Sequence, residues 1–332
     1  MNNFSLNRAL ALALSLLLLT GCAKNKEVDP SITNIAVTNP DFQMLEDAAI
    51  RGDVAVLLGN ANADPSSGGN FTVFAPNNDA FARLGLRSAA DLTALQQPFL
   101  RATLLYHVFS GSLAGIALTP GSTSPSALPT RLTRRIIVRA DGTKYVNGSK
   151  ILGTDLRAAN GLIHPIDKVL LATGANIVES AVALSSGQVF VKPELTFLVA
   201  AVLRCNLQGL LSQSGPYTVF APTDQAFRDA GIPSIAAINQ MDVTALTNIL
   251  ANHVLVNSAN PTGPQLGNRF TPELPDGTVV TAFGGRPLTL GAFANGLLTV
   301  KGAGSATPSS MVIPDVQCTN GVVHVIDRVL LP

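Results

Sequence analysis

The chain has 332 residues, with 22 Lys and Arg against 21 Asp and Glu for a net charge of +1. That balance gives no global field toward nucleic acid or an anionic membrane surface. The absence of tryptophan argues against a carbohydrate binder that stacks sugars on indole rings.

The N-terminal 21 residues read as an export signal. Arg8 supplies positive charge, Ala9 to Leu19 is apolar but too short to span a bilayer, and Leu19-Thr20-Gly21-Cys22 follows. These last four residues resemble a bacterial lipobox, which implies that Cys22 becomes the lipidated first residue of the mature chain. One acyl chain anchors only marginally, so stable attachment takes several. Residues 22–33 are polar and read as a tether.

From residue 34 onward the chain repeats. Asp41 to Leu58 aligns on Glu194 to Leu211, with apolar residues at helical spacing in both. Phe71-Thr72-Val73-Phe74-Ala75-Pro76 returns as Tyr217-Thr218-Val219-Phe220-Ala221-Pro222. Each box predicts a buried strand that ends at proline. Asn77 and Thr223 then cap a helix whose first apolar face is Ala-Phe. Ser88 and Ser234 are expected to cap further short helices. The next helical pattern runs into Tyr106-His107-Val108 in one copy and Asn252-His253-Val254 in the other.

The middles of the copies differ, with strands expected around Asp141-Gly142, Gly284-Gly285 and Asn295-Gly296. Both copies close on Asn-Gly followed by an apolar run, Asn160 to Leu171 and Asn320 to Leu331. This predicts two α+β domains, 34–172 and 173–332, with helices early and strands late. Such segregation argues against a parallel βαβ design.

Three elements in the same order in both halves resemble the fasciclin domain: the Thr-Val-Phe-Ala-Pro box, the Tyr-His pair, and the closing Asn-Gly-x-x-His-x-Ile-Asp-x-Val-Leu box. The resemblance implies a β-wedge of mostly antiparallel strands with surrounding helices. It also implies non-catalytic adhesion to matrix proteins, cell-surface proteins or polysaccharides, with no cofactor, metal or nucleic acid. A tandem pair behind a lipobox looks like a surface lipoprotein of a Gram-negative outer membrane. The second copy departs from the pattern by carrying Asn252 in place of tyrosine.

The residues that could carry chemistry are few. Four histidines form two equivalent pairs, His107 with His164 and His253 with His324. They read either as clips on backbone groups or as acid/base or ligand-contact residues. No Cys, Asp or Glu repeats around them at ligand spacing, and there is no nucleophile elbow, phosphate loop or His-Glu-x-x-His helix. A spacer role in the envelope, or a hydrolase using the histidines, are the alternative functions. The candidate ligand contacts are Tyr106, His107, Asn252, His253 and the basic cluster Arg131, Arg134, Arg135 and Arg139. That cluster suits planar anions, or is the charged face of an edge strand. Cys205 and Cys318 fall in the second domain, where a bridge and two free thiols are both open.

Overall fold

The computed structural model describes residues 29–125, 132–187, 189, 194–260, 262–263 and 265–332. Its first strand pairing decides the architecture. β1 (Phe71–Pro76) lies parallel to β8 (Gly161–Ile166), and β9 (Tyr217–Pro222) lies parallel to β15 (Gly321–Ile326). The opening and closing boxes of each copy are thus neighbours at the centre of one sheet, in the same register: Phe71 opposite Gly161, Tyr217 opposite Gly321. These two pairings are the parallel exception in a set of otherwise antiparallel ladders among the described residues. Gly161 is required by this contact. Its φ is +153°, and a Cβ there would stand 1.9 Å from the carbonyl oxygen of Phe71.

In the first domain, β2 (Val108–Ser110) and β7 (Leu156–Ala158) complete a four-stranded sheet in the order β2-β1-β8-β7. A second sheet, in chain order, is formed by β3 (Thr123–Pro125), β4 (Thr133–Val138), β5 (Lys144–Val146) and β6 (Ser149–Lys150). The second domain joins the two layers into one seven-stranded sheet. There β10 is Val254–Val256, β11 Val279–Thr281, β12 Pro287–Leu290 and β13 Thr299–Gly302. β14 (Ser309–Cys318) is long enough to serve both layers, bending through register shifts between Met311 and Val316. Asp315 sits at that bend with φ +65°, and Asp155 takes φ +62° where the first domain breaks the same strand into β6 and β7. A side chain tolerant of the left-handed region marks the same corner twice.

Helices pack on the parallel face. Asn77 accepts from Ala80 N–H at 2.9 Å and Thr223 from Ala226 N–H at 3.1 Å, so both boxes end in the expected cap. Ser234 caps Ile235–Gln240, accepting from Ala237 N–H. Ser88 does not play its expected part. The carboxylate of Asp91 instead accepts from the N–H groups of Arg87 and Ser88, and a 3₁₀ turn, Asp91–Ala94, follows. The same carboxylate also takes the Ser88 hydroxyl, which donates to it at 2.9 Å and so does not serve as a cap.

Each domain also opens with a helix that the repeat alignment did not reach, Ile32–Thr38 and Ile177–Ser185. The first begins at Ile32, inside the segment expected to be tether. Both helices are latched by the asparagine of the closing Asn-Gly. Asn160 Oδ1 accepts from Ile32 N–H at 2.9 Å, and its amide donates to the carbonyls of Leu58 and Asn60. Asn320 repeats the arrangement with Ile177 N–H at 3.0 Å and the carbonyls of Leu211 and Gln213. The Asn-Gly pairs therefore do more than turn the chain; they fasten helices more than a hundred residues away.

Candidate functional site

The four histidines lie in two repeated settings, all buried. The imidazole of His107 takes Leu170 N–H on Nε2 at 2.8 Å, so Nδ1 carries the proton and donates to Thr103 O at 2.7 Å. His253 does the same with Leu330 N–H at 2.9 Å and Ile249 O at 2.8 Å. Burial pushes each of these two rings down to about 4. His164 and His324 hold the opposite tautomer. Their Nδ1 atoms accept from Asp155 N–H and Asp315 N–H at 3.1 Å, and Nε2 donates to Leu113 O and Arg269 O. Both nitrogens of every ring are spent on backbone groups. A neutral imidazole with two partners has no capacity left for a substrate proton or a metal.

Asp167 and Asp327 are equally occupied. Each accepts a backbone N–H at 2.7 Å, from Lys150 and Ser310, and a serine hydroxyl, from Ser149 and Ser309. Among the described residues, no group of His, Cys, Asp or Glu is placed to hold a metal ion.

The expected ligand contacts are placed elsewhere than a binding surface. Tyr106, His107, Asn252 and His253 are buried and present nothing to solvent. Arg134 is fully buried without a carboxylate beside it. Its guanidinium donates to the carbonyls of Tyr106, Val108 and Pro125 and to Ser124 Oγ, and lies 5.3 Å from the Phe74 ring centroid. Burial pulls its pKa down to about 10, still charged at neutral pH. Arg131 falls outside the described residues. The two cysteines do not meet. Cys205 is free and half-buried near Val243 O, while the buried Cys318 contacts Ser180 Oγ at 3.4 Å and Thr173 Oγ1. Each sulfur has its own packing site, so no bridge forms.

Arg135 and Arg139 have a definite task, which is to join the domains. Arg135 pairs with Glu273, donates to Asn268 O at 2.9 Å and stacks 4.9 Å over Phe270. Arg139 pairs with Asp276 at 3.1 Å, donates to Pro272 O and stacks 4.2 Å over Phe293. The deepest link is Lys168, whose Nζ lies 2.8 Å from Asp315 Oδ2 and 2.6 Å from Gly296 O, with both side chains 8 % exposed. Burial alone would raise the Asp315 carboxyl, but Lys168 holds it below the ordinary carboxylate value. Tyr106 also belongs to this joint: its hydroxyl donates to Gln317 Oε1 and accepts from Asn147 Nδ2. Asn252, at the repeat position, turns inward and donates to Leu330 O at 3.0 Å. The two copies diverge there because only the first faces a neighbour. At Gly148, a Cβ would stand 1.9 Å from the Asp315 carboxylate, so glycine lets the joint close. A sequence signal for the joint exists: Arg135 and Arg139 lie in a basic stretch particular to the first copy, and Glu273 and Asp276 are particular to the second, whereas Lys168 gives no signal because Arg328 repeats its charge.

Two copies of one α+β unit, with polar side chains spent on their own backbone and on a shared joint, define a tandem scaffold. The fasciclin domain model matches residues 41–172 and 193–332, and the chain belongs to the fasciclin-domain family. It is 30% identical over 268 residues to transforming growth factor-beta-induced protein ig-h3 of Sus scrofa, covering 80% of this chain and 35% of that protein. It is 26% identical to Homo sapiens periostin, covering 80% of this chain and 28% of that protein. The chain thus spans about a third of the length of these relatives. The uncharacterized protein sll1735 of Synechocystis sp. is 32% identical over 157 residues, covering 47% of this chain and 97% of that one. Among solved structures, a FAS1 domain pair from the insect cell adhesion molecule fasciclin I aligns at 17% identity and TM-score 0.35, covering 89% and 98% of the two chains.

Proposed function

We propose that this protein is a non-catalytic adhesion module of the cell envelope, exported and held to the membrane by lipid on Cys22. Its partners are matrix proteins, cell-surface proteins or polysaccharides. The observation that carries the reading is the consumption of every histidine, and of Asp167, Asp315 and Asp327, in backbone clips and the domain joint. Catalysis needs a reactive group held ready for substrate, and this chain uses these groups to hold itself. Family membership supports the same direction. Among the described residues no helix is long and apolar enough to cross a membrane.

The locked pair is the binding unit in this reading, with contacts made by outward loops and edge strands. The test is binding of the two-domain chain to an array of matrix proteins, intact cells and acidic and neutral polysaccharides. Retention on at least one class, unchanged in a His164→Gln variant, supports it; no retention on any class overturns it. Metabolic labelling with a tritiated fatty acid tests the anchor, and label retained after Cys22→Ser would contradict it. A spacer role is the second reading. It is favoured by one observation: Arg135 and Arg139, the best anion-binding candidates, face the neighbouring domain and leave a ligand surface without them.

A further inference from the structure

Each domain contains an apolar cleft between its opening helix and the parallel strand pair, and the two clefts are repeats of each other. The first, about 120 Å³, is lined by Ala36, Leu45 and Val73; the second, about 100 Å³, by their counterparts Ala181, Leu198 and Val219. The mouths repeat as well. Val37 and Ile50 stand 50% and 63% exposed at the first, Val182 and Leu203 44% and 56% exposed at the second. A helix face that met only water would carry polar residues at these positions. Four exposed aliphatic side chains at matched sites mark a feature kept in both copies for something other than folding.

The lining decides what can enter. Thr33 Oγ1 is bonded to Ala55 O at 2.8 Å, and the Tyr217 hydroxyl to Leu210 O at 3.0 Å. His107 and His253 border the clefts with both ring nitrogens already occupied. Glu46, at the first cleft, is bonded to Gln43 and is replaced by Val199 in the second; Thr247 is the one further hydroxyl. A sugar, an anion or a peptide backbone would bury polar groups here without partners, at a cost of about 1–3 kcal/mol each. Water needs two to four polar partners, so the clefts stay dry. Apolar cavities of roughly 150 Å³ take a group the size of benzene, so clefts of this size admit a few carbons of a thin aliphatic group.

We propose that each domain is a hydrocarbon-binding site that receives the methyl end of an acyl chain, giving two sites per chain. The polar end of the lipid stays outside, beyond Val37 or Val182. This proposal is independent of the adhesive reading, because a protein that binds no matrix or polysaccharide can still take up acyl chains.

Calorimetric titration of the full two-domain chain with dodecanoate, below its micelle concentration, tests it. Two sites are expected. Ala181→Phe fills the second cleft and should reduce the stoichiometry from two to one. Val182→Glu does the same from an exposed position where folding is not at risk, and Val37→Glu with Val182→Glu should abolish binding. Dodecanoate bearing a hydroxyl on its last carbon should bind roughly tenfold or more weakly, since that hydroxyl would be buried unpaired. Flotation of the Cys22→Ser chain, which carries no acyl anchor, with phosphatidylglycerol vesicles, lost when Val37→Glu and Val182→Glu are added, assigns the chains to lipid still in a bilayer; binding of dodecanoate without flotation assigns them to free lipid. The proposal is overturned if dodecanoate does not bind, if the rim variants leave two sites intact, or if the hydroxylated probe binds equally well.

Discussion

Replacing Lys168 by methionine removes a cation and leaves the carboxylate of Asp315 buried between the domains. At 2.8 Å the pair attracts by about 6 kcal/mol at an effective dielectric of 20, and burial of both charges offsets most of that. Breaking such a pair from one side typically costs about 3–5 kcal/mol. Here Asp315 keeps Thr271 N–H at 2.6 Å and Thr271 Oγ1 at 2.8 Å, so the lower end, about 3 kcal/mol, is expected. Substituting both residues, Lys168→Met with Asp315→Asn, should recover part of the loss, because no charge is then stranded while asparagine tolerates the φ of +65° and keeps an acceptor for Thr271 N–H. Urea unfolding followed by far-ultraviolet circular dichroism measures each variant. The sign of the pH dependence follows from the depressed Asp315 carboxyl. The contribution is complete above its unfolded value of 3.8 and is lost as pH falls through the lower folded value. A loss below about 1 kcal/mol for Lys168→Met, or a double variant as unstable as the single, would mean that a stranded Asp315 charge is not what costs stability.

Three further expectations follow from the same geometry. His107 and His253 have folded pKa values depressed to about 4 from 6.5, so their stabilisation is complete above pH 6.5 and is lost as pH falls toward 4. Unfolding free energy should drop by roughly 3 kcal/mol per ring across that window, and His107→Gln with His253→Gln should reduce the slope to the part carried by His164 and His324, whose values burial also lowers; an unchanged slope in that variant would assign the loss to other groups. Asn320→Ala removes three hydrogen bonds and should cost about 3 kcal/mol. Hydrogen exchange should then show the helix Ile177–Ser185 opening first; uniform loss of protection would contradict the latch. Gly148→Ala drives a methyl group into the Asp315 carboxylate, and solution scattering should report a more extended pair. Unchanged scattering would mean that the joint has room to spare.

The sequence was most informative where local chemistry repeats. The strand, proline and cap of each opening box occupy one short stretch, so Asn77 and Thr223 could be assigned from neighbouring residues alone. The antiparallel bias was also legible, because the turns at Asp141-Gly142 and Gly284-Gly285 announce hairpins. The parallel contact of β1 with β8 was not, since its partners lie about ninety residues apart with no turn to fix their register. The burial of the candidate site residues is hidden in the sequence for a related reason. Tyr106, His107 and Arg134 are polar residues of the kind that contact ligands, and nothing nearby in the chain shows that Gln317, Leu170 and Ser124 satisfy them. A basic cluster taken within one domain has the pattern of a surface. Arg135 and Arg139 have partners 138 and 137 residues away, on a face that exists only once both domains have folded. The latch helices escaped notice because their repeat is short, although Ala36-Val37 and Ala181-Val182 carry it.

Lys168, Arg135 and Arg139 make one body of two domains at the joint. Backbone ¹⁵N relaxation of the two-domain chain measures this directly. A single rotational correlation time shared by both domains, separating into two in an Arg135→Ala, Arg139→Ala, Lys168→Met variant, is the predicted result. Two distinct correlation times in the unaltered protein would contradict it.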